Sequence, residues 1–541
     1  MIFLSTLIIS LLITIALTPL FSSMALRFQL VDLPNERKVH QVPVPRVGGV
    51  AMALGAFIPL ACWNFQDHFV RAYLLGAGVL VLFGAVDDLR ELSPRFKFLG
   101  QTAAALCAVF VGGIRISSLG MLAPENYLLP EPASVLLTVL AIVGVTNAIN
   151  LSDGLDGLAG GICLLIFAGI GYLSYLVADY TAGLICLALG GALFGFLRFN
   201  THPASVFMGD SGSQFLGFSA IVLSLGLTQG SATALSPLLP LILLGFPILD
   251  TLTVMATRIS HGRSPFSADK NHFHHNLMAL GFLHPESVLI IYVFQTMLLL
   301  AAVALRFYSD WTLLLGYLVF SLLVLTGFAR AARTRSTVRR FEFFDAKIAG
   351  RLRLLKSEGV VIRYSFRLFE TAVPLLLLIT CLVAQRPAVY LSVICLVSCA
   401  AVLAACRLKS AWLPGLLRFL LYLLIPFSVY LTREPVAHLE DGIAALYNGS
   451  FGAVAVLIIL VSKFSRRKSG FRSSPMDFLI CILALVVPNL PSQGAGDVGV
   501  GVVAAKILLL YFSFEVLQAE MRGELKRFAL WTAASLVALA F

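Results

Sequence analysis

The sequence predicts an all-α, polytopic membrane protein with about 18 transmembrane helices and its N-terminus outside the cytoplasm. Of its 541 residues, 59% are hydrophobic and only 12% are charged, whereas soluble domains are roughly half apolar and a quarter charged. The mean hydropathy is +0.92. Long apolar runs separated by short polar loops indicate helices, because the alternating strands of a membrane barrel would be less hydrophobic.

The apolar runs have about the length that a helix needs to cross a bilayer. In chain order they lie at 2–22, 48–65, 70–86, 98–113, 134–150, 158–176, 181–197, 211–229, 236–257, 287–305, 311–329, 369–385, 387–405, 412–431, 448–463, 476–492, 498–516 and 527–541.

Positive charge predicts the orientation. With the N-terminus outside, about 32 of the 39 Lys and Arg residues fall on the cytoplasmic side, which is the bias that cytoplasmic loops show. Arg27, Arg37 and Lys38 follow the first run, so we expect an uncleaved first span. The net charge of +11 is explained by these loops, and we expect membrane lipid rather than nucleic acid as the partner.

One polar stretch divides the chain. Residues 331–368 are strongly basic and interleave Phe, Leu and Ile with Arg, which is consistent with a helix on the anionic inner leaflet or with a plain basic linker. Residues 1–330 are then an eleven-helix domain, and 369–541 a seven-helix domain of unknown role. In the latter, Lys506 lies inside a predicted span, where a charge marks either a functional site or a pair with another helix.

The unusual polar residues collect in five loops that this threading places on the cytoplasmic side. The loops are "VDLPNERKVHQVPVPRVGG" (31–49), the "DD" after the third span (87–88), "NAINLSDGLDGLAGG" (147–161), "FNTHPASVFMGDSGS" (199–213) and "SPFSADKNHFHHNL" (264–277).

Two of these loops carry adjacent or isolated carboxylates. Asp87 and Asp88 end a span, and could cap the next segment, but neighbouring carboxylates raise each other's pKa unless a cation or donor shares the site. Asp210 stands between glycines at the start of a span. It is either an N-cap or a metal ligand beside a helix N-terminus, where backbone N–H groups favour phosphate.

The fifth span ends in Asn147, Asn150, Asp153 and Asp156, spaced every three residues. This spacing keeps neighbours on one slowly rotating helix face. A capping cluster explains one or two of the four, which favours a binding site.

The histidines of "HFHH" are His272, His274 and His275. Zinc sites usually combine His with Cys or carboxylate at helical or turn spacings, and no such partner pattern is evident, so we expect contact with phosphate or sugar and no bound zinc.

Together these residue types predict chemistry on phosphates. Carboxylate oxygens suit Mg²⁺, which commonly binds one or two carboxylates plus substrate phosphates. Phosphoryl transfer needs positioning and charge neutralisation more than covalent chemistry. The location predicts that one reactant is a lipid and the other a cytoplasmic solute.

These motifs make residues 1–330 resemble the polyprenyl-phosphate N-acetylhexosamine-1-phosphate transferases. "VDLPNERKVH…PRVGG" and "HFHH" indicate the WecA/TagO-like branch rather than the MraY branch, and Phe273 replaces the Ile usual in that branch. The resemblance implies transfer of a sugar 1-phosphate from a UDP-N-acetylhexosamine, by default N-acetylglucosamine, to undecaprenyl phosphate. UMP leaves, and a cell-envelope polysaccharide such as O-antigen is started at the bacterial inner membrane.

The resemblance also implies roles for the polar residues. Asp87 would be the base for the lipid phosphate, or a covalent nucleophile, with Asp88 beside it, and Asp210 would bind Mg²⁺, or Mn²⁺ in its place. The remaining assignments are a nucleotide-side cluster and substrate-binding positions: Asn147, Asn150, Asp153, Asp156, Arg46, Lys97, His272, His274 and His275.

Other functions are weighed against this one. An ion-coupled transporter also has intramembrane carboxylates, but usually near the midplane and in inverted repeats. Here only Asp250 lies deeper in a span. The 369–541 domain could instead be a scaffold that recruits partners. The resemblance does not determine whether the chain forms a homodimer or whether its donor is a different UDP-N-acetylhexosamine.

Overall fold

The computed structural model describes most of the chain as helix. The described residues are 2–28, 31–32, 43–90, 92–124, 127–229, 233–264, 272–333, 360–387, 389–408, 412–432, 436, 441–464, 500–520 and 525–541. Two compact units are present, Met1–Arg339 (unit 1) and Arg340–Phe541 (unit 2), and each is described by itself. The functional assignment of the predicted domains stays a prediction.

Unit 1 is built from thirteen described helices. They are α1 (Ile2–Arg27), α2 (Gly48–Asn64), α3 (His68–Arg90), α4 (Pro94–Leu106), α5 (Glu131–Leu151), α6 (Leu158–Leu176), α7 (Tyr180–Asn200), α8 (Gly209–Thr228), α9 (Leu239–Leu243), α10 (Gly245–Ser260), α11 (Phe273–Ala279), α12 (His284–Ala304) and α13 (Asp310–Arg333). A π-helical turn, Cys107–Val111, extends α4, and a 3₁₀ turn covers Gly120–Leu122. Two short strands, β1 (Val31–Asp32) and β2 (Val44–Pro45), pair antiparallel.

Helix α8 forms the centre of unit 1. Every residue from Ser211 to Leu225 is buried, as expected for a helix that other helices surround on all sides. It packs against α2, α3, α5 and α6. The start of α8 is thereby fixed relative to four other helices.

Glycines bring the start of α8 very close to its neighbours. A Cβ atom on Gly49 of α2 would overlap Gly212, and one on Gly84 of α3 would overlap the backbone of Ser211. Two backbone hydrogen bonds, from Gly48 N to Phe207 O (3.0 Å) and from Gly49 N to Met208 O (2.9 Å), tie α2 to the segment before α8. Such close approach requires small residues at the contact.

The helices coincide with the predicted spans, apart from 476–492, which lies outside the described residues. The predicted 98–113 span is α4 with its π-helical turn, and 236–257 is divided into α9 and α10 at Leu244. Eleven helices in the described ranges are long and apolar enough to cross a membrane. The chain is therefore a multi-pass, all-α membrane protein, while the total of about 18 spans and the outside N-terminus stay predictions.

Unit 2 contains six described helices: Val360–Val383, Val389–Arg407, Leu413–Leu431, Asp441–Phe464, Val500–Glu520 and Leu525–Ala540. The last helix packs against the first two. Lys506 is buried, and its Nζ atom lies 4.4 Å from the ring centre of Tyr447 and 5.2 Å from that of Phe451. Its charge thus meets aromatic faces of another helix, a contact that stabilises a cation.

The α3–α8 contact gives a direct test of this packing. Gly84→Ala should lower the free energy of unfolding by about 1–3 kcal/mol, because the new methyl group overlaps the backbone of α8. Gly78→Ala is the matched control on the same helix, since a Cβ at Gly78 meets no atom within 4 Å. Thermal unfolding in detergent measures both, and equal midpoints for the two variants would contradict the packing described here.

Candidate active site

A lysine joins two carboxylates at the end of α3. Lys97 Nζ lies 2.6 Å from Asp87 Oδ2 and 2.7 Å from Asp210 Oδ2. The backbone N–H of Leu92 donates to the other oxygen of Asp87, at 2.6 Å. Pro94 occupies the first position of α4, where proline is favoured. The first turn of α4 then brings Lys97 next to Asp87. Lys97 therefore holds together two carboxylates that would otherwise repel each other.

Asp88 caps a helix that is distant in sequence. Its Oδ1 accepts from the backbone N–H of Asp210 at 2.8 Å, and its Oδ2 accepts from Ser211 N at 3.1 Å and Ser211 Oγ at 2.8 Å. A carboxylate at a helix N-terminus satisfies free N–H groups and complements the helix dipole. Gly209, with φ at +72°, lets the chain turn against this carboxylate. The structure thus places Asp88 where it orients Asp210.

Asn150 of α5 completes the surroundings of Asp210. Its Nδ2 donates to Asp210 Oδ1 at 2.9 Å and to Ser213 Oγ at 2.8 Å. Asn147, one turn earlier, donates instead to Gln101 Oε1 at 2.7 Å and to the carbonyl of Val143 at 2.8 Å. The structure therefore separates the two asparagines: Asn150 orients the carboxylate, and Asn147 joins an amide network between helices.

Asp153 lies between α5 and α6 among other carboxylates. Burial, followed by the negative charges of Asp210, Asp156 and Asp88, raises the pKa of Asp153 to about 7, whereas the charge of Arg46 acts in the opposite direction. A carboxyl with this pKa is only partly ionised at neutral pH. An added cation would therefore favour its charged form.

Asp156 contacts two histidines, His202 and His284, to which the sequence motifs assign no role. His202 Nδ1 lies 2.8 Å from Asp156 Oδ2, which also accepts from Ala204 N at 3.1 Å. The Asp156 backbone N–H donates to His284 Nε2 at 3.1 Å, and the rings of His202 and His284 stack 4.2 Å apart. Within the described ranges, these three residues are the group whose ligand atoms come close enough for a metal ion. Because the His284 Nε2 lone pair accepts this backbone hydrogen bond, we assign the group to positioning Asp156.

The histidine motif forms the start of α11. His272 Nδ1 lies 3.0 Å from Asp250 Oδ2, and Phe273 N donates to Asp250 Oδ1 at 2.9 Å. The His274 ring touches Gly154 and stacks with the ring of His272, 5.7 Å between ring centres. The ring of His275 lies tilted against it, 4.2 Å away. Burial, followed by the nearby histidines, lowers the pKa of His274 to about 3. This imidazole is thus neutral at physiological pH, with one donor and one acceptor nitrogen.

The donor set at this end of unit 1 fits a hard divalent cation. Asp87 and Asp210 face the single ammonium of Lys97, and Asp153 lies among neighbouring carboxylates. Oxygen ligands of this kind are those that Mg²⁺ binds. Asp210, held by Asp88 and Asn150, is the carboxylate best fixed to bind it.

Several residues of the site have no clear signal in the sequence. Gln101 and Gln214 are buried within helices, and polar residues in apolar runs could have indicated an interhelical network. Asp250 stood out as a deep carboxylate, but its partner His272 lies 22 residues away. His202 and His284 stand alone in their segments, so nothing in the sequence linked them to Asp156.

The chain is similar to proteins of one family. Residues 70–228 match Glycosyl transferase family 4, a range that contains the Asp87, Lys97 and Asp210 cluster. A "probable undecaprenyl-phosphate N-acetylglucosaminyl 1-phosphate transferase" of Bacillus subtilis is 38% identical over 320 residues, 59% of this chain and 88% of that protein. An "undecaprenyl-phosphate alpha-N-acetylglucosaminyl 1-phosphate transferase" of Yersinia pestis is 32% identical over 59% of this chain and 89% of its own length. One of Escherichia coli strain K12 is 32% identical over 54% and 81%.

The Lys97 bridge predicts a stability that depends on divalent cations. Lys97→Met should lower the midpoint of thermal unfolding in EDTA, because Asp87 and Asp210 would then face each other without a cation. Millimolar Mg²⁺ should recover most of the loss. Lys526→Met, at an exposed lysine of unit 2, should be indifferent to both conditions. A Lys97→Met midpoint that Mg²⁺ leaves unchanged would count against the cation site.

Proposed function

Because the chain belongs to the polyprenyl-phosphate N-acetylhexosamine-1-phosphate transferase family, in its WecA/TagO-like branch, we propose that it transfers N-acetylglucosamine 1-phosphate from UDP-N-acetylglucosamine to undecaprenyl phosphate. UMP leaves, and the lipid-linked sugar starts a cell-envelope polysaccharide. The observation that carries this proposal is the cluster of Asp87, Lys97 and Asp210 at one helix-end surface. We place the reaction at the cytoplasmic face of the bacterial inner membrane.

The proposed reaction is a direct displacement at phosphorus. An oxygen of the lipid phosphate forms a new bond to the β-phosphorus of the UDP-sugar. The bond from that phosphorus to the bridging oxygen breaks, and the oxygen leaves with UMP. In-line geometry and charge neutralisation supply most of the rate in such transfers.

Mg²⁺ bound at Asp210, or Mn²⁺ in its place, would neutralise the diphosphate charge. The chain's own residues prepare this position: Asp88 and Asn150 fix the Asp210 carboxylate, and Lys97 supplies a further positive charge for phosphate oxygens. Preorganised charges of this kind cost little reorganisation during the reaction.

Asp87 is the proposed acceptor of the lipid phosphate proton. It lies at the end of a membrane-length helix, where the head group of a lipid with a buried chain would be located. A phosphate monoester has a second pKa of about 6, so the need for a base grows as the pH falls. A covalent role for Asp87 is the alternative that the pH dependence below also addresses.

The nucleotide and sugar are proposed to occupy the other half of the cluster. Arg46 and Asp153 interact electrostatically, and Asp156 is held by His202 and Ala204 N. His274 is neutral and can donate one hydrogen bond and accept another. Gly154, in contact with the His274 ring, joins the α5–α6 loop to the histidine motif, so His272 and His275 are placed beside the same loop.

The two alternatives to this function are a different UDP-N-acetylhexosamine donor and an ion-coupled transporter. A different UDP-N-acetylhexosamine remains the second candidate, because the proposed roles of these side chains concern the phosphates and the nucleotide and do not distinguish one sugar hydroxyl. The ion-coupled transporter is set aside, since the carboxylates collect at helix ends and the relatives are named as transferases. A homodimer stays a prediction from the family resemblance.

Catalysis is tested by UMP release from purified protein with undecaprenyl phosphate, Mg²⁺ and a panel of UDP-N-acetylhexosamines. Asp210→Asn should reduce turnover at limiting Mg²⁺ by at least 100-fold. Asp179→Asn is the matched control, because Asp179 caps α7 through Ala182 N without belonging to the cluster. Near wild-type turnover of Asp210→Asn at limiting Mg²⁺ would refute the metal assignment.

Asp87→Asn separates the base role from the alternatives through its pH dependence. If Asp87 removes a proton, the loss of turnover relative to wild type should be largest near pH 6. It should shrink by at least tenfold near pH 8.5, where the lipid phosphate is already deprotonated. A loss of the same size at both pH values would assign Asp87 to positioning Lys97 or to covalent catalysis.

Truncation tests the proposed domain division. A chain ending after Ala332 keeps α1–α12 and nearly all of α13, so it should insert and retain turnover within about tenfold, roughly 1.4 kcal/mol in barrier. A second stop after Leu368 adds back the basic 331–368 segment. Two inserted but inactive truncations would show that residues 369–541 complete or stabilise the active site.

A further inference from the structure

Unit 2 contains a cavity of about 430 Å³ that is lined by both charged and apolar side chains. Arg367 and Glu370 reach it from the helix Val360–Val383, and Arg527 from the helix Leu525–Ala540. The lining also includes the apolar residues Pro374 and Phe528 and the amphipathic Trp531. The volume is in the range of sites that enclose a small ligand.

The cavity lies where two helices of unit 2 begin or end, beside the point at which a third helix becomes continuously uncharged. In the helix Val360–Val383 the last charged residue is Glu370, and no residue from Thr371 to Val383 is charged. Arg527 stands in the first turn of its helix, and Leu517 in the last turn of Val500–Glu520. Ends of membrane-length helices lie at the level of the lipid head groups. A tryptophan at this level is typical, because its ring has an apolar body and a polar N–H.

The charges of the cavity favour an anion. Among the described residues that line the cavity, two guanidinium groups stand against one carboxylate. Arg527 Nη1 is 4.0 Å from Glu370 Oε1, and 73% of the Arg527 side chain is exposed. Such a long, exposed ion pair is weak, and a phosphate in the cavity would give Arg527 a stronger, charge-assisted contact. The planar guanidinium fits two phosphate oxygens at once.

We propose that this cavity binds the phosphate head group of a membrane lipid. The phosphate lies between Arg367 and Arg527, and the first part of the lipid chain lies along Pro374, Phe528 and Trp531. A free phosphate ion would gain the two arginines but not the apolar wall, and an uncharged lipid would gain the wall alone. The site belongs to unit 2, and the proposal does not depend on the transferase activity of unit 1.

The test uses photocrosslinking of the full-length protein in detergent micelles. The probe is a phosphatidic acid with a photoactivatable group near its head group, and the crosslinked peptides are identified by mass spectrometry. Crosslinks should map to residues 367–374 and 527–531, and unlabelled phosphatidic acid should compete. In the double variant Arg367→Gln, Arg527→Gln these crosslinks should fall at least tenfold. Arg407→Gln, an exposed arginine outside the cavity, should leave them unchanged.

Competition against the photoactivatable probe identifies which part of the lipid the site recognises. Diacylglycerol and inorganic phosphate should compete at least tenfold more weakly than phosphatidic acid, and equal competition by either would overturn the proposal. Undecaprenyl phosphate is the further arm: stronger competition than phosphatidic acid would identify a polyprenyl lipid as the source of the head group, and similar competition an ordinary anionic lipid. Unchanged crosslinks in a double variant that keeps the wild-type unfolding midpoint would also refute it.

Discussion

The repulsion among carboxylates at the start of α8 is the constraint on which unit 1 depends. Five of them are drawn to this region from α3, the α5–α6 loop and α8: Asp87, Asp88, Asp153, Asp156 and Asp210. Three kinds of positive partner offset the repulsion, namely the Lys97 ammonium, the N–H groups at the start of α8, and the charge of Arg46. A site with this many carboxylates favours the binding of cations. Cations also neutralise the charge of two reacting phosphates.

The packing of α8 follows from that constraint. A carboxylate can hold a cation or a phosphate in a fixed place only if its own backbone is fixed. Gly49 and Gly84 let α2 and α3 touch the first turn of α8, and Gly217, farther along, touches the backbone of Thr146 on α5. Small residues here determine the distance between helices. The amides of Gln101, Asn147 and Gln214 add interhelical hydrogen bonds, so the helices that supply Lys97, Asn150 and Asp210 are held together next to the site.

The two units differ in the side chains with which we propose that they bind phosphate. Unit 1 gathers carboxylates, which need a cation before they can accept a phosphate. The described lining of the cavity in unit 2 has two arginines, one glutamate and apolar side chains, which we propose bind a lipid phosphate directly. In unit 1 the clustered carboxylates stand at helix ends, because a charge within the bilayer is costly unless it is paired. Lys506 is paired with aromatic rings instead, a contact that suits a cation inside a helix bundle.

The sequence by itself determined the helices, since hydrophobic runs of membrane-spanning length have few other solutions in a bilayer, and it determined the chemical types present at their ends. It also singled out Asp87, Asp210, Asn150 and Lys97, whose mutual contacts the structure shows. Only the tertiary structure determined which residues these polar side chains contact. Asp88 caps α8, 122 residues away, and Asp156 faces His202 and His284, because these contacts depend on how helices pack rather than on local spacing. Asn147, one turn from Asn150, turns to Gln101 instead, since three residues along a helix rotate a side chain by about 60°.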